Sequence, residues 1–176
     1  MNDQPEQSPA PDGSRDHIKS FGWSVFLIFA LIVIDQTVKI WVETYMEYHQ
    51  QIDLLPVFAL FRTHNTGVAF SMLSDLGPGA LTLMSLAISA FVLWLLWRTP
   101  RDHGVARLGY MMIIAGAIGN LIDRATLGYV VDYFLFHTEN WSFAVFNLAD
   151  SFITIGAALA VLQEVLIWRA STRPQP

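Results

Sequence analysis

The chain has 176 residues, of which 53% are apolar and only 14% charged, with a formal net charge of −5 and no cysteine. This composition excludes an ordinary soluble domain and indicates an integral membrane protein. The absence of thiols excludes disulfides, a thiolate nucleophile and a thiolate metal site.

Four apolar stretches dominate the chain and predict an all-α bundle of transmembrane helices in a single domain, residues 19–170. Residues 1–18, rich in Pro, Gln, Ser and Asp, are predicted to be a disordered cytoplasmic tail, and residues 171–176 a short C-terminal one. The membrane helices are predicted at about residues 23–42, 81–97, 105–122 and 148–168, the apolar run of the last being Phe152–Trp168.

The positions of lysine and arginine predict the orientation, because bacterial membranes retain these residues on the cytoplasmic side. Arg62 and Arg124 lie on one side of the predicted bundle, and Lys39 lies within the first helix. The opposite side carries Arg15, Lys19, Arg98, Arg101, Arg107, Arg169 and Arg173. Both termini are therefore expected in the cytoplasm, and the loops of residues 43–79 and 124–145 are expected to face outward.

The first helix carries Asp35 and Lys39, which are four residues apart and can form an ion pair on one helix face. We predict a structural pair that neutralises both charges within the bundle. The alternative is that Lys39 acts as the general base for a serine, but no serine lies in a recognisable nucleophile motif.

The first outward loop is expected to hold a small β-sheet on the outer membrane surface. Ile52–Arg62 is predicted as one strand, His64–Gly67 as a turn in which Gly67 is able to adopt positive φ, and Val68–Met72 as the returning strand. Asn65 has two possible roles, as an ordinary turn residue or as an amide that holds a peptide backbone.

The third helix ends in Gly119-Asn120-Leu121-Ile122-Asp123-Arg124. Its spacing favours Asp123 and Arg124 as a charged terminus that stops the span, with Arg124 well placed for the helix dipole. Asn120 lies one turn deeper and is expected to hydrogen-bond into a site.

Two aspartates follow in and beyond the second outward loop. Asp132 lies within the strand-like segment Gly128–Phe136, where aspartate is disfavoured, and no structural role accounts for it. Asp150 follows Asn147 by three residues, a spacing typical of a helix N-terminal capping box, so capping alone could account for it. The predicted topology places both carboxylates at the outer face of the membrane.

Two adjacent carboxylates cannot both ionise cheaply, so one retains a proton while the other stays charged. This is the requirement of aspartic proteolysis, in which the ionised group activates water and the protonated group donates to the developing oxyanion. The five histidines show no zinc-binding spacing, so neither a metal nor another cofactor is expected.

The polar motifs taken together resemble those of bacterial lipoprotein signal peptidase, also called signal peptidase II, over about residues 25–165. The motifs are Asp35-Gln36-x-x-Lys39, Asn65-x-Gly67-x-Ala69-Phe70, Gly119-Asn120-x-x-Asp123-Arg124, Val131-Asp132-Tyr133 and Phe146-Asn147-x-Ala149-Asp150. Tyr133 stands where phenylalanine is common in the family, a departure that is not expected to disturb Asp132.

The resemblance implies four membrane helices with a small extracytoplasmic sheet. It also implies an intramembrane aspartyl endopeptidase that cuts prolipoproteins just before a cysteine carrying a diacylglyceryl group. Asp132 and Asp150 would be the catalytic dyad, and Asp35 and Lys39 would support the bundle. Residues that would line or brace the site are Asn65, Gly67, Asn120, Asp123, Arg124 and Asn147.

The expected partners are the prolipoprotein and membrane lipids, and no nucleic acid is expected. The protein is expected to be a monomer in the bacterial inner membrane. Two alternatives remain. A proton-coupled transporter could use Asp35, Asp132 and Asp150 as a relay, although no inverted repeat is evident. A membrane scaffold could use its aspartates only to cap helices.

Overall fold

A computed structural model describes residues 13–67 and 78–172 of the chain. The helices within these ranges are α1 (Gly13–Tyr45), α2 (Pro78–Arg98), α3 (Gly104–Thr126) and α4 (Leu148–Ser171). The strands are β1 (Gln51–Leu55), β2 (Phe58–Asn65), β3 (Val130–Thr138) and β4 (Trp141–Ser142), paired antiparallel in the order β1-β2-β3-β4. The four predicted helices and the small sheet are therefore present.

Among the residues that the structure describes, three helical segments are long and apolar enough to cross a membrane, namely Phe21–Tyr45, Gly104–Thr126 and Leu148–Ser171. The corresponding segment of α2, Thr82–Arg98, is shorter. Helix α1 begins at Gly13, so the prediction of disorder is wrong for residues 13–18, and residues 1–12 lie outside the described ranges. The helix can begin this early because no proline lies between Pro11 and the apolar run, and because extending an existing helix costs far less free energy than starting one.

The predicted strand Ile52–Arg62 is instead a hairpin, in which β1 and β2 are joined at Pro56-Val57. Proline has no N–H to donate to a sheet ladder, which explains the break. His64 and Asn65 are likewise not in a turn, since they pair with Val131 and Val130 of β3. The predicted strand Val68–Met72 lies outside the described residues.

Strand β3 is fixed to the end of α1 by a buried apolar cluster. Val131 and Tyr133 are fully buried and pack with Val42 and Met46 of α1. Val131 and Tyr133 are the sequence neighbours of Asp132. Because successive residues of a strand point to opposite faces, the Asp132 side chain points away from this cluster. The cluster therefore fixes the position of Asp132 in the fold.

Helix α3 packs against α1, α2 and α4. Its approach to α4 depends on glycine, because a Cβ on Gly109 would overlap the carbonyl oxygen of Gly156 and a Cβ on Gly116 would overlap that of Ala149. This close contact brings the C-terminal half of α3 against the first turn of α4, where the polar residues of both helices meet.

Candidate active site

Asp132 is held on β3 by two amide donors. Its side chain is only 2% exposed. Asn65 Nδ2 donates to Asp132 Oδ2 at 3.0 Å, and Asn147 Nδ2 donates to Asp132 Oδ1 at 2.6 Å. Because Asn65 lies at the end of β2 and Asn147 just before α4, the site is assembled from three elements.

Asp150 is the third residue of α4 and forms the predicted capping box with Asn147. The Asp150 N–H donates to Asn147 Oδ1 at 3.0 Å, and the Asn147 N–H donates to Asp150 Oδ2 at 3.2 Å. The other carboxylate oxygen, Oδ1, accepts a hydrogen bond from Asn120 Nδ2 at 2.8 Å. Asp150 is half-buried, so it is more accessible than Asp132.

The two aspartates are connected through the side chains of Asn120 and Asn147. Asn147 Nδ2, which donates to Asp132, also lies 3.2 Å from Asn120 Oδ1. Asn120 Oδ1 in turn accepts a hydrogen bond from Lys39 Nζ at 2.9 Å. Asp132, Asp150 and the capping residue Asn147 therefore share one hydrogen-bond network.

Lys39 lies between two buried carboxylates, at 3.0 Å from Asp35 Oδ2 and 2.9 Å from Asp123 Oδ2. Asp35 Oδ1 also accepts the N–H of Ala149 at 2.9 Å, and Asp123 Oδ2 accepts that of Val131 at 3.2 Å. The residues before Asp150 and Asp132 are thus each attached to this charged group. A buried charge that is paired and also hydrogen-bonded avoids most of its desolvation cost.

The structure corrects the prediction that Asp123 is a terminal charge. Its side chain is 2% exposed and faces Lys39 inside the protein. Arg124 is half-buried, and its Nη1 lies 3.4 Å from the carbonyl oxygen of Asn120, a weak contact at the end of α3. Spacing alone could not identify Asp123, because its partners come from α1 and β3.

Gly67 does not use the positive φ that a glycine permits. Its N–H instead donates to Asn65 Oδ1 at 3.1 Å. This leaves Asn65 Nδ2 directed at Asp132, so Gly67 orients the amide of Asn65 through its main chain. Ala69 and Phe70, which share a motif with Gly67, lie outside the described residues.

Sequence reasoning missed two contributions to the site. Gln36 donates to Gly119 O and Asp123 Oδ1, at 3.2 and 2.9 Å. Glu43 binds Arg62 at 2.6 Å and His64 at 2.8 Å, which fixes β2 beside Asn65. The position of Gln36 three residues before Lys39, on the same helix face, was the available signal for the first contribution.

Burial, and after it the negative charge of Asp150, raise the pKa of Asp132 from its ordinary 3.8 to about 7. The amides of Asn65 and Asn147 oppose this shift because they favour the charged form. A carboxyl with a pKa near neutrality can exchange a proton during a reaction. Among the described residues, no group of three or more His, Cys, Asp or Glu could hold a metal ion.

Comparisons with known proteins agree on one family. The family model described as signal peptidase (SPase) II matches residues 27–166. A lipoprotein signal peptidase of Allorhizobium ampelinum is 57% identical over 148 residues, covering 84% of this chain and 91% of the relative. One of Brucella ovis is 58% identical over 146 residues, covering 83% of this chain and 91% of the relative.

Two solved structures, both described as bacterial membrane enzymes, share the fold. The first has a TM-score of 0.77 at 24% identity and covers 88% of this chain and 94% of its own. The second has a TM-score of 0.71 at 26% identity and covers 80% of this chain and 91% of its own. With its apolar helices, its family match and relatives that align over most of its length, this chain belongs to the signal peptidase II family and is an integral membrane protease.

Proposed function

We propose that this protein removes signal peptides from diacylglyceryl-modified prolipoproteins by cutting just before the lipid-modified cysteine, with Asp132 and Asp150 as the catalytic dyad. Family membership supports the substrate class. One observation carries the mechanism: a buried and a half-buried aspartate are joined through Asn120 and Asn147 in one network.

In this mechanism Asp132 holds the shared proton and Asp150 is ionised. The raised pKa of Asp132 supports the first assignment. The first turn of α4 supports the second, because the positive end of a helix dipole and the Asn147 N–H stabilise a negative charge on Asp150. Asp150 takes a proton from water as the water oxygen attacks the peptide carbonyl carbon, and Asp132 donates its proton to the carbonyl oxygen. The C–N bond then breaks as Asp150 gives its proton to the amine nitrogen, and Asp132 takes a proton back from a hydroxyl of the intermediate, which restores the dyad.

The remaining site residues position these two carboxyl groups. Asn65 and Asn147 hold Asp132, and Asn120 holds Asp150. Asp35, Lys39 and Asp123 form the charged support beneath them. Gly67 orients Asn65, and Arg124 contacts the main chain of Asn120.

The same proposal includes a topology and a location. All four helices would cross the bacterial inner membrane, with α2 as the shortest span. Both termini would be cytoplasmic, and the sheet and the dyad would lie at the periplasmic surface, as the arginine distribution favours. The protein would act as a monomer in contact with membrane lipids.

The transporter alternative requires carboxylates arranged as a ladder across the bilayer. Asp35 and Asp123 instead share Lys39, which also binds the Asn120 amide that holds Asp150. Asp132 joins the same group through Asn147. A single connected cluster of this kind favours a reaction centre over a relay.

The test is to purify Asp132→Asn and Asp150→Asn and to incubate each with a diacylglyceryl-modified prolipoprotein. Mass spectrometry of the released signal peptide measures cleavage, and thermal unfolding measures folding. Asp102→Asn, an exposed change in the α2–α3 turn, is the matched control.

We expect each dyad variant to fold and to lose at least about 100-fold in rate, the usual contribution of a general acid or base. The control should cleave at the wild-type rate. Near wild-type cleavage by either dyad variant would refute the assignment, and a scaffold would show altered unfolding with no cleavage by any form.

A further inference from the structure

Glu164 is the only charged residue of α4 between Asp150 and Arg169. It lies seven residues before the helix ends at Ser171, which corresponds to roughly 10 Å along the axis. Within residues 13–67 and 78–172 it has neither an ion pair nor a hydrogen bond. Ionisable groups in membrane helices are costly and usually face a partner or a polar cavity, so Glu164 requires an explanation.

Glu164 lines an open cleft of about 620 Å³ between α4 and the α2–α3 turn, which we call the α2–α4 cleft. Its other polar groups include Arg98 and His103, and Trp94 and Ile167 contribute apolar surface. The Arg98 guanidinium lies over the Trp94 ring, 5.4 Å from its centre. The cleft therefore presents a cation, a carboxylate and an apolar wall.

Exposed tryptophans place this cleft at the level of lipid headgroups. Trp97 is 80% exposed and Trp168 is 64% exposed, and tryptophans of this kind mark the membrane–water interface. Arg98 directly follows Trp97, and Glu164 lies one helical turn before Trp168. Both charges of the cleft thus lie near the depth at which a phospholipid carries its own charges.

We propose that the α2–α4 cleft binds the headgroup of a zwitterionic phospholipid with a primary ammonium group, its phosphate on Arg98 and its ammonium on Glu164. Arg98 supplies several N–H donors to phosphate oxygens, and Glu164 accepts the N–H donors of the ammonium. The acyl chains would lie against exposed apolar residues of α2 and α4, such as Leu93 and Val161.

Charge and hydrogen bonding favour this headgroup over two others. An anionic headgroup without an ammonium would bring negative charge to Glu164 with no compensating contact. A choline headgroup has no N–H to donate, and it is recognised mainly by aromatic faces. The Trp94 face in the cleft is already occupied by Arg98.

The test titrates the full-length protein in detergent with phosphatidylethanolamine, phosphatidylcholine or phosphatidylglycerol and counts bound lipids by native mass spectrometry. The variants are Glu164→Gln and Arg98→Gln. Asp102→Asn and Arg169→Gln remove charges of the same sign at the same end of the protein, outside the cleft lining, and are the matched controls. Thermal unfolding and cleavage assays verify that each form is intact.

We expect the wild type to prefer the ethanolamine lipid over the choline lipid by about tenfold, which corresponds to one charge-assisted hydrogen bond. Glu164→Gln should abolish this preference, and Arg98→Gln should weaken binding of both lipids, with cleavage unchanged. Equal wild-type affinity for the two lipids, a preference for phosphatidylglycerol, or an unchanged preference in Glu164→Gln would overturn the proposal. These readouts do not depend on the dyad assignment.

Discussion

The side-chain amides of Asn147 and Asn120 can each be oriented toward the proposed dyad in only one way. Asn147 Oδ1 accepts the Asp150 N–H, so its Nδ2 must point to Asp132. Asn120 Oδ1 faces Lys39, which has only donors, so its Nδ2 must point to Asp150. The Asp150 main chain and the Lys39 ammonium therefore fix the direction of both amide donors, so each carboxylate faces a donor whose orientation is already set.

The raised pKa of Asp132 predicts a specific dependence of stability on pH. Burial and the Asp150 charge raise its pKa from 3.8 to about 7, so the folded state binds a proton that the unfolded chain releases. This contribution is fully present below pH 3.8 and is lost as the pH rises through 7. Asp132→Asn cannot ionise and should escape the loss.

Thermal unfolding of both proteins at about pH 5 and about pH 8 measures the effect, and the stability of the variant relative to wild type should rise by about 3 kcal/mol between them. Any fixed cost of placing an amide opposite two amide donors cancels in this difference. Asp102→Asn, which is exposed, should show no such trend. Parallel pH curves for wild type and Asp132→Asn would contradict the prediction.

At the scale of residues, the sequence was informative where a group lacked a local explanation. Asp132 has Val131, Tyr133 and Phe134 as sequence neighbours, so the unfavourable free energy of an aspartate in this apolar strand could be recognised without a structure. Asp123 and His64 had plausible local explanations, as a helix terminus and a turn, and their actual partners lie far along the chain. Long-range partners of this kind cannot be inferred from spacing.

At the scale of elements, the contact between α3 and α4 sets the geometry of the site. A Cβ on Gly116 would overlap the carbonyl oxygen of Ala149 and lie 2.9 Å from Ile153 Cγ1. Ala149 also donates its N–H to Asp35 and directly precedes Asp150. A methyl group at Gly116 would therefore push the first turn of α4 away from its support.

Gly116→Ala should lower the free energy of unfolding by about 1–3 kcal/mol, the usual cost of overpacking, and should also reduce cleavage. Gly104→Ala is the matched control, because nothing lies within 4 Å of a Cβ at that position. The control should be neutral or slightly stabilising, since alanine restricts the unfolded chain more than glycine does. Equal unfolding temperatures for the two variants would show that the contact is not tight.

The type of each element could be predicted from the sequence, but not the residues at which it begins and ends. Apolar length identified four helices, and β-branched residues identified β3 around Asp132. The hairpin turn at Pro56-Val57 was missed because the apolar pattern continues through it, although Pro56 itself was a signal. The start of α1 at Gly13 was missed because a helix can extend from an apolar segment into polar residues whose composition gives no helical signal.

At the scale of the whole molecule, the absence of cysteine permits a direct test of the proposed orientation. Glu139→Cys is an exposed site beyond β3, and Asp102→Cys is an exposed site between α2 and α3. A membrane-impermeant maleimide should label the first in spheroplasts and the second only after lysis, because arginine-rich segments stay cytoplasmic. The cysteine-free parent protein is the control, and the reverse pattern would refute the topology.

Asn147 caps α4 and also donates to Asp132, which has a consequence for biosynthesis. Helix α4 follows the other three described helices in the chain and so leaves the ribosome after them, with Asn147 directly before it and Asp150 in its first turn. On the proposed assignment, the dyad cannot form until the first turn of this helix has folded against α3. A nascent or partly inserted chain is then unable to cleave peptides, so completion of its own membrane insertion is the step that switches the protease on.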